Sequence, residues 1–461
     1  MKKTIIPILI GIATLPAFSQ NVLTLEQCKE LALKNNLKMQ NAELTVEAAQ
    51  QQKKEAFTKY FPSISATGMG FATSKPMLSM EMDMSEQMQP LTDVLGPLIG
   101  WGMANGAPID PSLLAGLQNQ EPTKIEALNN GIIGGVMATQ PIFAGGQIVN
   151  GNRLAKAGVE IRQLQKQMTD KEVSLTTEQY FWQIVLLKEK LKTVDNAVIM
   201  LDRIFSDVKI AVEAGLTTRN DLLRVELEQN KLASNKLKVE NGLRILKTNF
   251  ALHVGLEIGD YDIETPDIEN TALPAKRDDK ALLENRLEYR LLDKSVDVAK
   301  LEVKLEAGKH MPTVAVGAGY QYMKFDLNKS SEMKNDFGMV FASVAVPITD
   351  WWGGSHAIKR KKLDLKIAEN TRQETSDLLL LQMQQTGNEL DEAFQQVLIA
   401  KKSITASEEN LRISKDNFDV GVTTLSDLLE AQNLVQQSHD QHTEAAAIYF
   451  IKLAEYKQMS E

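Results

Sequence analysis

The chain has 461 residues, 43% apolar and 24% charged, a globular composition that excludes intrinsic disorder. Its formal charge of −9 excludes the basic footprint of a nucleic-acid binder. A single cysteine, Cys28, excludes a disulfide framework within the chain, and a buried thiol on a helix is expected there.

The first residues, MKKTIIPILIGIATLPAFSQ, have a basic tip (Lys2, Lys3), an apolar run from Ile5 and a small-residue exit at Ala17-Phe18-Ser19. That pattern reads as an export signal over 1–19. No later stretch is long and apolar enough to cross a bilayer as a helix. If the exported chain spans a membrane, it must do so with β-strands. Thr24 and Gln27 form a capping box for a helix expected to run to about Tyr60. Glycine-rich strands are expected over 62–73 and 132–143, with an insertion between them. The pair Gly145-Gly146 then opens a long helix. Along it Tyr180, Ile184, Leu187, Leu191, Val194, Val198, Leu201, Phe205, Val208 and Val212 recur at 4-3 spacing, a coiled-coil seam. From Gly146 to Gly215 such a helix is about 100 Å long at ~1.5 Å per residue. It ends at AGLTTRNDLL, residues 214–223. Gly215 can take the left-handed conformation that closes one helix, and Thr218 with Asp221 can cap the next.

The chain then says the same thing again. VGVTTLSDLL, residues 420–429, matches that turn 206 positions later, and Pro347 matches Pro141 at the same offset. Pro312 matches Pro62, and NRLE at 285–288 matches NNLK at 35–38, both at an offset of 250. One insertion of 44 residues between Pro62 and Pro141 reconciles the two offsets. The chain is thus a tandem duplication: repeat 1 over 20–255, a linker over 256–275 and repeat 2 over 276–461. Strands over 312–323 and 338–349 alternate with a period of two. Val314, Val316, Ala318, Tyr320 and Tyr322 fall on one face, as do Val340, Ala342, Val344, Val346 and Ile348. About ten residues is the length of a tilted transmembrane strand, and Tyr320 and Tyr322 fall where an aromatic girdle belongs. Ordinary half-buried hairpins would show the same alternation. The second glycine pair, Gly353-Gly354, precedes another long helix with Leu390, Ala393, Val397, Ala400, Ile404, Leu411 and Phe418 on its seam, interrupted by Ser407 and Ser414.

Four strands cannot close a membrane barrel, and an open edge is not tolerated in lipid. Two chains would supply eight strands and three would supply twelve. A barrel of eight is filled by its own side chains, so a pore favours three.

With its two Gly-[Leu/Val]-Thr-Thr-x-x-Asp turns, the junctions QPIFAGG and VPITDWWGG, and the element ALLENRLEYRLL, the chain resembles the TolC-type outer-membrane efflux protein family. Leu287 stands where the family's Asn-Arg-Pro-Glu-Leu element has proline. The resemblance implies a mainly α protomer with a small β part. Three protomers would form a 12-stranded outer-membrane β-barrel continued by a long α-helical periplasmic barrel. It implies a passive exit duct of a tripartite efflux or type I secretion system in a Gram-negative outer membrane. Its partners would be outer-membrane lipid, a periplasmic adaptor protein and an inner-membrane RND or ABC transporter. By the same match, Ala214, Gly215, Leu216, Thr217 and Thr218, with Val420, Gly421, Val422 and Thr424, form the adaptor-docking tips. Asp427 and Glu430 would line the periplasmic aperture as acidic rings, with raised pKa values and a draw on cations. Asp427 could equally serve only to complete the cap of Thr424. The family closes its aperture with an arginine and a tyrosine bonded to an aspartate. Asp221 matches the aspartate, but Thr423 and Phe418 occupy the donor positions, so a looser gate is expected.

No catalytic set and no cofactor motif emerges, and an enzyme is not expected. His439 and His442 share a helix face, for which a solvated surface is the expectation. The insertion carries Met77, Met80, Met82, Met84 and Met88, soft ligands that would suit Cu(I) in a metal-efflux duct. Apolar methionines covering the tube mouth or packing between protomers are the simpler reading. A non-conducting coiled-coil scaffold would explain the seam but not the strand pairs.

Overall fold

The computed structural model describes residues 21–460 apart from 76, 83–84, 108–109, 111, 113–122, 128–129, 258, 260, 270, 276–277, 329–330 and 349. The expected export signal over 1–19 lies outside the described residues. The chain forms two compact units. One draws on residues up to 53, 154–300 and 362 onwards; the other comprises 54–153 and 301–361. Each unit combines segments of both halves of the sequence.

The second unit is built on one antiparallel sheet. Its strands are β2 (Ser63–Ala72), β5 (Asn130–Ala144), β7 (Thr313–Asn328) and β8 (Ser331–Ala345), in the order β2-β5-β7-β8. The register aligns Ile64, Ala138, Ala318 and Val340 in one row, and Ala66, Val136, Tyr320 and Gly338 in the next. Side chains on one face of a strand alternate with the other face, so these rows build a single apolar face. Ile64, Val136, Tyr320 and Val340 are all exposed on it. Pro141 lies in β5 at a register shift against β7, where a proline's missing N–H costs no ladder bond. Two glycines of these strands, Gly131 and Gly317, are covered by aromatic rings from their neighbours. A Cβ on Gly131 would meet Phe325 at 2.6 Å and Phe71 at 2.7 Å, and one on Gly317 would meet Phe341 at 2.4 Å.

Where β5 leaves the sheet, Gly145 and Gly146 both have positive φ, 58° and 75°. A side chain on Gly145 would strike the Gly308 carbonyl oxygen at 2.1 Å, so the two glycines let the backbones touch. The second glycine pair behaves differently. Gly353 and Gly354 lie inside a helix, and Gly354 leaves room for the His310 ring, which a Cβ would meet at 2.5 Å. Between β2 and β5 the insertion folds as β3 (Leu78–Met82), α3 (Ser85–Ala104) and β4 (Thr123–Ala127), with β3 and β4 antiparallel.

The first unit is helical. Thr24 caps α1 (Leu25–Asn35) with both bonds of its capping box to Gln27 in place. The single helix expected to Tyr60 is in fact two, because Asn36 is extended and α2 (Leu37–Thr58) restarts behind it. The break is fixed from outside the segment: the Asn36 side-chain amide donates to the His253 carbonyl at 2.8 Å, while its oxygen accepts from the Lys38 N–H at 2.8 Å. In the second repeat α6 (Asp279–Leu283) and α7 (Leu287–Lys309) break at the equivalent place.

The long helices are α4 (Gln147–Glu213, 67 residues) and α8 (Asp350–Asp419, 70 residues). The return helices are α5 (Arg219–Val254) and α9 (Leu425–Ser460). The ends of α4 and α8, and both ends of α5 and α9, correspond at a shift of 206 positions. The buried line on α4 is Val194, Ala197, Leu201, Ile204 and Val208, at 3-4 spacing. Val198, Phe205 and Val212 of the expected seam flank it as half-buried neighbours. On α8 the seam runs on through Ser407, which is buried and donates its hydroxyl to the Ile404 carbonyl at 3.0 Å. Cys28 is buried on α1, and burial pushes its thiol up to about 11, an inert structural thiol. Trp182 of α4 stacks on Phe450 of α9 at 3.9 Å, joining the two repeats.

The linker is held by charge. Its strand β6 (Tyr261–Ile263) pairs in parallel with β1 (Asn21–Leu23). Asp262 accepts from Lys188 at 3.1 Å and Lys247 at 2.8 Å, and Lys188 also donates to the Ile263 carbonyl at 2.9 Å. Burial pushes the Asp262 carboxyl up, but the two lysines outweigh it and hold the group below the usual carboxylate range. Its stabilisation is therefore present above the unfolded-state pKa and is lost as pH falls through the lower folded-state one. Asp262→Asn should cost roughly 1 kcal/mol near neutral pH, the scale of a hydrogen-bonded, part-exposed ion pair. Tm measured against pH should show the wild-type advantage shrinking on the acid side until the two proteins converge.

Candidate functional site

The two Gly-Thr-Thr turns lie in the same unit and share one geometry. At the first, the Leu216 N–H donates to the Ala211 carbonyl at 2.8 Å and the Gly215 N–H to Val212 at 3.0 Å. At the second, Val422 donates to Asn417 at 2.8 Å and Gly421 to Phe418 at 3.0 Å. These are paired Schellman closures, and they require the positive φ of Gly215 (74°) and Gly421 (77°). The next helix is capped at once. Asp221 accepts from the Thr217 and Thr218 hydroxyls, each at 2.7 Å, and from the Thr218 N–H at 3.2 Å. Asp427 accepts from the Thr424 hydroxyl at 2.8 Å and its N–H at 3.0 Å.

Both carboxyls are held below the usual range: Asp221 chiefly by the Thr218 and Thr217 hydroxyls, Asp427 by the Thr424 N–H and hydroxyl. Asp427 thus completes a cap in the single chain. Glu430, exposed and one turn further along α9, has no cap to complete.

The tips expose what soluble turns normally bury. Leu216 is 81% exposed, Val420 72% and Val422 71%. Ala214, Gly215, Thr218, Gly421 and Thr424 are exposed around them, while Thr217 and Thr423 are half-buried. Rigid backbone, capped helices and projecting apolar side chains thus coincide at both tips.

Behind the tips lies an apolar cluster of Val194, Leu201, Val208, Val225, Leu425, Leu428 and Leu429. Phe418 packs against it, and Thr423 donates its hydroxyl to the Ser414 carbonyl at 3.3 Å. Thr423 thus bonds within its own repeat, Phe418 packs on a cluster drawn from both repeats, and the Asp221 oxygen that accepts from Thr217 and Thr218 serves its own turn. The polar link between the turns is one the sequence reading missed: Arg224 donates to the Ser426 hydroxyl at 3.2 Å, and its charge also lowers the Asp221 pKa. The signal was available, because Arg224 occupies the repeat position equivalent to Glu430, a cation in one copy where the other has an anion.

The histidines do not share a solvated face. His439 is paired with Glu408 at 3.0 Å, whereas His442 is buried, 3.8 Å from Glu269. Among the described residues no group of three His, Cys, Asp or Glu side chains could hold a metal. Of the methionines, Met84 lies outside the described residues. Met77 precedes β3, Met80 and Met82 fall on β3, and Met88 falls on α3.

A family model described as outer membrane efflux protein matches residues 280–455. No curated protein sequence matches the chain. Among solved structures, the CmeC outer membrane channel of Campylobacter jejuni superposes with a TM-score of 0.70 at 14% identity, covering 94% of this chain and 85% of its own. The MtrE outer membrane channel of Neisseria gonorrhoeae gives 0.71 at 13%, covering 94% and 88%. The outer membrane protein VceC of Vibrio cholerae gives 0.70 at 12%, covering 95% and 96%. Such low identities with near-complete coverage establish a shared fold. Residues 280–455 match the outer membrane efflux protein family, and the chain as a whole has the protomer fold of these outer-membrane channels.

Proposed function

We propose that three copies of this chain form a passive exit duct for a tripartite efflux or type I secretion system. The observation that carries the reading is the four-stranded sheet whose outer strands, β2 and β8, have no partner on their far side among the described residues, beside an exposed apolar face. Lipid tolerates such a face but not an unpaired strand edge. Neighbouring copies supply the missing strands, and three copies give twelve, wide enough for an open lumen. The paired tips dock a periplasmic adaptor, which couples the duct to an inner-membrane transporter of the RND or ABC type. Leu216, Val420 and Val422 provide the apolar contact, and the Schellman closures keep its entropy cost low.

At the aperture, Glu430 and Asp427 of three protomers make stacked acidic rings that draw cations. The resting constriction is held by the apolar packing of Phe418 and by the Arg224–Ser426 bond, weaker than a charged latch and therefore looser.

Three measurements test this reading. Leu216→Asp with Val422→Asp should abolish adaptor binding and efflux in cells while leaving the assembled channel intact; undiminished efflux would count against the docking role. In planar bilayers under a salt gradient, Glu430→Gln should shift the reversal potential toward zero, with thermal stability unchanged because no cap is lost. Arg224→Ala should raise single-channel conductance, whereas a wild-type channel that is already tightly shut would contradict a loosely held gate.

A further inference from the structure

The two repeats close the same joint differently. In the first repeat the start of α2 meets the end of α5, and side-chain amides seal the gap. Asn36 donates to the His253 carbonyl at 2.8 Å and Asn35 to the Val254 carbonyl at 3.3 Å. In the second repeat Arg286 stands at the position of Asn36, by the offset of 250, and Met459 at that of His253, by the offset of 206. Arg286 makes no such bond across its joint. It turns back to Glu288, donating from Nε at 3.1 Å and from Nη2 at 2.9 Å. What remains between the start of α7 and the end of α9, bordered also by α4 and α8, is a cavity of about 810 Å³. That is the size of a small-molecule site.

Arg286 lines this cavity with its side chain nine-tenths buried, and its Nη1 has no hydrogen-bond partner among the described residues. A buried donor without an acceptor is costly, and an acceptor delivered to it removes that cost. Lys171 lines the same cavity. Its ammonium forms no ion pair among the described residues and only approaches the Gln458 carbonyl, at 3.5 Å. Burial pushes the Glu288 carboxyl up, but the Arg286 hydrogen bonds outweigh it and the Lys171 charge adds to them, so both cations act on one spot. The four carboxylates that line the cavity are already matched. Glu172 pairs with Lys38, Glu288 with Arg286, and Glu389 and Glu455 with Lys452. The unused capacity is therefore for an acceptor, beside one cation without a counter-ion. A phosphate dianion would be repelled by the four carboxylates, whereas a carboxylate brings one charge and two oxygens to share between Arg286 and Lys171. Met168, Leu291 and Met459 give the rest of such a ligand an apolar wall.

We propose that this joint binds an organic monocarboxylate with an apolar body, its carboxylate on Arg286 Nη1 and Lys171 Nζ and its body against the methionines. Bound there, the ligand does for the second repeat what the Asn36 amide does for the first: it ties the start of one helix to the end of another.

The test uses the full-length protein held in amphipol, with phenylbutyrate as the probe and phenylbutanol as its uncharged counterpart. Calorimetry should show saturable binding of the acid, roughly tenfold or more tighter than that of the alcohol, and the acid should raise Tm. Arg286→Gln with Glu288→Gln removes the guanidinium without stranding its carboxylate, and Lys171→Met keeps the apolar stem while removing the charge. Each should weaken binding of the acid by roughly tenfold and leave that of the alcohol unchanged. The two variants act on different helices, so a failure of one to fold leaves the other to decide. Equal binding of acid and alcohol, or binding of the acid that a folded variant leaves unchanged, makes the cavity an apolar slot and overturns the proposal. So does no binding at all, or binding that begins only when Glu461 is deleted, which would give the site to the chain's own carboxylate.

Discussion

The unpaired edges of β2 and β8 govern the rest of this molecule. Each edge strand presents a row of backbone N–H and C=O groups, and hydrocarbon offers them no partner. Four strands drawn from two sequence repeats complete neither a barrel nor a water-soluble sandwich, because one face of the sheet is apolar and exposed. The same incompleteness runs through the helical unit. A 67-residue helix cannot be stabilised by its own propensity, and α4 buries a line of side chains against α5 and α9 while Ile199 and Ile210 remain exposed. On the proposed reading the protomer is a wall segment, and its energetics refer to an assembly.

Duplication explains how one sequence builds such a wall. The same cap, turn and return helix recur with matching ends at a shift of 206 positions. The places where the copies differ are where their roles diverge. Arg224 and Glu430 occupy equivalent positions with opposite charge, and the 44-residue insertion belongs to one copy alone. The tips remain alike because both use one closure, a left-handed glycine followed by a threonine cap and an aspartate.

The parts of the fold governed by local chemistry were legible in the sequence. Thr24 with Gln27 and Thr218 with Asp221 announced helix starts, and Gly215 and Gly421 announced ends, because caps are made within a few residues. What depended on distant partners was not legible. Asn36 breaks a helix because His253, more than two hundred positions away, offers it a carbonyl. The first-repeat strands looked weak because of their glycines, and the cover that Phe325 and Phe71 give Gly131 comes from neighbouring strands. Periodicity located the α4 stripe but not which half of it would be buried, since that depends on where α5 and α9 pack. At the site, the turns and carboxylates were readable, and the charge change at Arg224 was too, but not its partner, because the bond to Ser426 crosses between the repeats.

Native mass spectrometry of the protein extracted from outer membranes in detergent tests the central claim most directly. Three chains in one particle that conducts ions in a bilayer is the predicted result. A single chain that stays folded and soluble after the detergent is removed would mean that the edges of β2 and β8 need no neighbour, and would contradict the account.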